Sequence, residues 1–237
     1  SREDLTRETE RLLRESNEKH KELTKEIIRL VDRLIKLLEE LTERLKELVK
    51  ELLKRLRLDK EVLDRLREIL KELDEANRTV VDTLRKVLKR LKEELDRVHR
   101  ESEELLRTLR DLAERVRGEE LVERITRALE THSELLERSV ELLKRVLEEL
   151  VKLARELVKR NEDVLRRLVE LVERALDSED AKKLVKEVRD VVERVRREHD
   201  KLVKEIEKIV RDIEKKLRDL VREDRELVKK IEKKLRD

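Results

Sequence analysis

The sequence has no aromatic residue, no Cys, no Met, no Pro and no Gln, and a single Gly. Ordinary globular usage would supply dozens of these residues in a chain of this length. Without Cys there is no disulfide framework, no thiolate nucleophile and no cysteine ligand for zinc, and the redox compartment stays open. Without aromatics there is no platform on which bases could stack. No apolar run exceeds two residues, so neither a membrane-spanning helix nor the apolar core of a secretory signal is expected. The expected protein is soluble, with no membrane partner and no targeting signal.

What remains is mostly charge: 54% of the 237 residues are Asp, Glu, Lys or Arg. The 65 basic and 62 acidic residues nearly cancel, to a net +3, and are mixed along the chain. With no basic block, nucleic acid is not an expected partner. High charge alone would signal disorder, but Leu, Val and Ile recur regularly enough to bury a core.

The recurrence is helical. Ile27, Val31, Leu34, Leu38, Leu41, Leu45, Leu48 and Leu52 advance by alternating steps of four and three, the spacing of a heptad seam. Ile28, Leu37, Val49 and Leu53 widen that stripe, as a helix touching two neighbours requires. Similar seams run through Leu63, Leu66, Leu70, Leu73, Asn77, Val80, Leu84 and Val87, and through Ile125, Leu129, His132, Leu136, Ser139, Leu143, Val146 and Leu150. A last, less regular one follows Leu184, Val188, Val191, Val195, His199, Leu202, Ile206, Ile209 and Ile213, with extra steps of four.

Three breaks carry helix-end chemistry. Asp59 is placed to cap a new helix, with Glu61 in its first turn. Gly118 suits the left-handed position that ends a helix, and Glu119 and Glu120 open the next. Asp177 or Ser178 is a third cap, ahead of Glu179 and Asp180. These breaks predict helices over 2–57, 59–117, 119–176 and 178–236. The expected fold is all-α: a single-chain, up-down-up-down four-helix bundle with coiled-coil-like helices of about 57–60 residues, each about 85 Å long, in one elongated domain spanning 1–237.

Polar residues interrupt the seams. Asn17, His20 and Thr24 stand at consecutive spacings of three and four. If the helices are antiparallel and equally long, Asn17, His20, His99, Ser102, His132 and Ser139 fall within roughly 10 Å along the axis. Asn77, Asn161 and His199 meet at a second level, flanked by Thr42. Buried polar groups are costly when isolated, so grouping at two heights is what a hydrogen-bond network requires. His99 lies beside Val98 and Ser102 rather than squarely on the stripe. Asp224 reaches the first level, but "VREDREL" reads as a solvent-facing charge run between Leu220 and Leu227, and Asp224 is expected to be solvated.

The reduced alphabet, heptad seams, short connections and polar seam residues together resemble de novo designed helical bundles whose Leu-rich cores carry buried polar networks. The resemblance implies that such networks fix which helices pair and in what register, and that histidine-containing examples loosen on acidification.

A metal site from His20, His99, His132 and Asp224 is a competing reading. Dimetal bundles use a Glu-x-x-His motif on each of two helices plus inward Glu residues, whereas this chain offers only Asp96-x-x-His99, and no metal ligands are assigned. Haem would need space that a Leu- and Val-lined seam with six Ala does not leave. Ser133 or Ser139 beside His132 lacks an oxyanion hole and a cleft, so no catalytic residues, cofactor or small-molecule substrate are expected. The expected role is a structural scaffold with buried polar layers, acid sensitivity being secondary. The alternative is a binding or assembly component; a monomer is favoured, with self-association as the competing state.

Overall fold

The computed structural model describes residues 2–55, 59–175 and 179–237, less the side chain of Arg2 and a few near the first and third breaks. Those residues form α1 (Arg2–Arg55), α2 (Lys60–Arg115), α3 (Glu119–Ala175) and α4 (Glu179–Arg236), and no strand is found among them. The helices are 54, 56, 57 and 58 residues long. The protein is an all-α four-helix bundle, as the seams predict.

The ends follow local chemistry. The Asp59 carbonyl accepts from the Leu63 amide at 3.0 Å and so opens α2. Helix α2 stops at Arg115 rather than at the expected residue 117. Gly118 adopts φ 75°, a left-handed turn that costs a residue without Cβ little, and the chain leaves helical geometry at Val116 to reach it. The Gly118 carbonyl then accepts from Val122 at 3.3 Å, so one glycine closes α2 and opens α3. The expected cap at Asp177 or Ser178 lies outside the described residues, as do the side chains of Leu52, Leu53, Glu179, Asp180 and Leu184.

Every helix contributes to each of two compact units, residues 1–30, 87–148 and 210–237 in unit 1 and residues 31–86 and 149–209 in unit 2. Within unit 1, α1 and α4 are antiparallel: Glu8 pairs with Lys234, Lys19 with Glu223 and Glu26 with Lys216. Glu10–Arg110 links α1 to α2, and Glu137–Arg225 links α3 to α4. Its core packs Leu12, Leu13, Leu109, Ile125, Leu129 and Ile231 from all four helices. Each fully buried Leu or Ile contributes about 1.5–3 kcal/mol relative to exposure, and the exposed ion pairs about 0–1 kcal/mol.

Unit 2 repeats the arrangement. Glu39–Arg85 and Lys46–Asp74 join α1 to α2, Glu72–Arg167 joins α2 to α3, Glu162–Arg196 joins α3 to α4 and Arg44–Glu198 joins α4 to α1. Leu45, Val49, Leu66, Leu73, Leu165 and Leu168 form one core cluster, and Val172 with Val188 another. No described helix is long and apolar enough to cross a membrane.

Candidate functional site: two buried polar layers

The first layer lies in unit 1. Helix α1 brings Ser16, His20 and Thr24 to one face by steps of four, and all three are buried. Helix α3 supplies His132, Ser133 and Ser139, and α4 supplies Asp224. The carboxylate is the hub: Oδ1 accepts from Ser16 Oγ at 2.8 Å and from His132 Nε2 at 2.7 Å, and Oδ2 accepts from Ser133 Oγ at 3.3 Å. An ionised carboxylate only accepts, which fixes His132 as a donor through Nε2–H. One side chain on α4 thereby holds groups from α1 and α3.

Burial pushes the Asp224 pKa up, but the His132 hydrogen bond and charge and the two serine hydrogen bonds hold it below the ordinary carboxylate value. One turn along α1 from Ser16, His20 Nε2 lies 2.5 Å from Ser139 Oγ, a second tie between α1 and α3. The serine hydroxyl can serve either histidine tautomer. Burial lowers the His20 pKa to about 4; Glu94 raises it and Arg97 lowers it by smaller amounts. His20 is thus neutral at pH 7.

The layer differs from the expected set at seven residues. Asp224 is buried, at 2% exposure, not solvated: Ile213, Leu217 and Leu220 advance by four and three, and the next step of four reaches Asp224. It is Leu227 that is exposed, at 38%. His99 sits at the surface, one residue off the seam through Val98 and Ser102. Asn17 is half-buried, because the seam passes through its neighbour Ser16. Thr24 is buried, but its hydroxyl donates to the His20 carbonyl at 2.8 Å within its own helix and makes no bridge to another helix among the described residues. Ser102 is buried with no hydrogen-bond partner for its hydroxyl among the described residues. Asn17, His20, His99 and Ser102 line a groove of about 420 Å³ between α1 and α2. Ser16 is absent from the expected set, and Ser133 enters the sequence reading only as a serine beside His132 set aside as a catalytic pair.

The second layer, in unit 2, takes Thr42, Asn77, Asn161 and His199 from α1, α2, α3 and α4, all buried. Thr42 is itself on the core face rather than flanking it, while Leu41 is half-buried. Asn77 Nδ2 donates to Thr42 Oγ1 at 2.7 Å, and that hydroxyl donates to the Leu38 carbonyl at 2.8 Å. There the direct bonding stops. Asn77 Oδ1, Asn161 Oδ1 and both ring nitrogens of His199 have no partner among the described residues. Burial lowers the His199 pKa, opposed by Glu198 and Asp200.

These groups do not line up as a nucleophile, base and orienting acid. The serines that reach Asp224 bond the acid rather than His132, and the Ser139–His20 pair is separate from it. Among the described residues no three or more His, Cys, Asp or Glu side chains are grouped to hold a metal ion. What the first layer offers chemically is a charged acceptor satisfied by donors from two other helices. No protein-family model, curated protein or solved structure matches the chain.

Proposed function

We propose that this chain is a designed structural scaffold in which buried polar layers select one pairing and register of four similar helices, held by coiled-coil-like seams. The observation carrying this reading is Asp224, a buried carboxylate that accepts from Ser16 on α1 and from His132 and Ser133 on α3. Sliding one helix by a seam step would still bury Leu against Leu. It would leave Asp224 and its donors unpaired, which costs far more than the apolar area exchanged. The coiled-coil reading is supported by α3, where Ile125, Leu129, Leu136, Leu143, Val146 and Leu150 are all buried at alternating steps.

A monomer fits this role. Leu227 is the one large hydrophobic exposed among the described residues, which leaves an assembly partner little apolar surface to cover. Acid sensitivity follows as a secondary property, since His20 and His199 are both buried and neutral.

The test is to make unit 1 apolar at its hub, with Ser16→Ala, His132→Leu, Ser133→Ala and Asp224→Leu together. Thermal stability is expected to hold or rise, because both sides of every bond are removed. The amide NMR spectrum is expected to split into more than one set of resonances, or light scattering to show self-association. A single, equally sharp set from a monomer would contradict the reading.

A further inference from the structure

The polar layer of unit 2 has an unequal inventory. A neutral imidazole has one donor and one acceptor nitrogen, so the unpartnered atoms comprise one donor on His199 and three acceptors: its other nitrogen, Asn77 Oδ1 and Asn161 Oδ1. With the Asn161 amide oriented as it stands, its Oδ1 inward, direct pairing among these buried atoms can use the donor once and leaves acceptors over. Turning the Asn77 amide does not help. The Thr42 hydroxyl already donates to Leu38, so it can only accept, and Asn77 must face it with Nδ2. Its Oδ1 is therefore committed to the unpaired side.

The groups lie at one level of unit 2. Arg44–Glu198 sets Thr42 level with His199, Glu72–Arg167 sets Asn77 level with Asn161, and Glu162–Arg196 sets Asn161 level with His199. Solvent is close by: Thr42 and Asn77 also line a groove of about 400 Å³ between α1 and α2, together with Lys46, Asp74 and Arg78.

We infer that this layer is a buried hydration site, binding about two water molecules that donate to Asn77 Oδ1, Asn161 Oδ1 and one His199 nitrogen and accept from the other. One water donates twice and can satisfy only two of the three acceptors, which is why a second is needed. Unit 1 has no such need at Asp224, where protein donors fill the carboxylate. The inference does not depend on the polar layers selecting register, and its failure would leave that proposal standing.

Water oxygen-17 relaxation dispersion on the intact chain at pH 7.5 counts waters held longer than the tumbling time. The expected result is a dispersion step that is lost in the folded triple variant Asn77→Leu, Asn161→Leu, His199→Leu. The double variant Asn161→Leu, His199→Leu is expected to lose most of it and serves if the triple variant does not fold, as judged by its helical circular dichroism. No step in the parent, or a step of equal size in parent and folded variant, overturns the inference.

Discussion

The two units are built alike and carry the same kinds of polar residue, yet their interiors differ. In unit 1 the buried His132 and Ser16 and the half-buried Ser133 converge on a carboxylate, and His20 finds Ser139. In unit 2 the one direct hydrogen bond between buried side chains of different helices among the described residues is Asn77 to Thr42, while His199 and the Asn161 oxygen find no partner there. The difference is one charge. A carboxylate accepts several donors at once, whereas Asn and neutral His each bring donors and acceptors that must be matched atom by atom. Polar seam residues therefore do different work in the two units: around Asp224 they bond helix to helix, whereas around His199 most of their capacity meets no protein group among the described residues.

That contrast should be largest on deletion. Asp224→Leu strands Ser16, His132 and Ser133, and urea denaturation is expected to show a loss of about 3–5 kcal/mol. His199→Leu strands no protein partner and is expected to change stability by no more than about 1 kcal/mol. Equal losses would erase the distinction between the units.

Acid is expected to act next. The folded pKa of His20, about 4, lies below its unfolded value of 6.5. The unfolded chain then binds the proton more readily, so the His20 contribution is complete above pH 6.5 and is lost as pH falls towards 4, about 3 kcal/mol in all. His199 is lowered in the same direction by its burial and adds to the loss below pH 6.5. Asp224, held below its ordinary value of 3.8, adds its own loss as pH falls through that value and below it. Urea midpoints followed from pH 7.5 to 3 should fall in these two stages; a flat profile from 7.5 to 4 would contradict the burial of neutral histidines.

Smaller effects sharpen the comparison. Ser139→Ala removes the partner of His20 Nε2 and is expected to cost about 1–3 kcal/mol, whereas Ser102→Ala removes a hydroxyl without a described partner and should cost less than about 1 kcal/mol. Smallest of all, Lys19→Ala breaks the exposed pair with Glu223 and should cost about 0.2–1 kcal/mol, vanishing in high salt.

The fold was legible because helix-forming residues, seam spacing and a lone glycine all point the same way. Every α3 seam residue from Ile125 to Leu150 is buried. The polar layers were only partly legible, and the misses have a common cause. Where two polar residues stand side by side, as at Ser16 and Asn17, no apolar side chain marks which one faces inward, and helix rotation decides. Asp224 was hidden by its neighbours: Arg222, Glu223, Arg225 and Glu226 make the segment look solvated, although the steps from Ile213 lead to it. Whether a buried polar residue is satisfied depends on the residue opposite it on another helix, which spacing along one helix does not report.

The central claim, that the Asp224 hub selects register, is tested most directly by a distance across α1 and α4. Spin labels on Lys19→Cys and Glu223→Cys, introduced at an exposed ion pair in a chain without native cysteine, report that register by double electron–electron resonance. With the hub intact, a single narrow distribution is expected; with Ser16→Ala, His132→Leu, Ser133→Ala and Asp224→Leu, a broad or multiple one at undiminished stability. The same narrow distribution in both proteins would mean that the apolar seams select the register unaided, and would contradict the account.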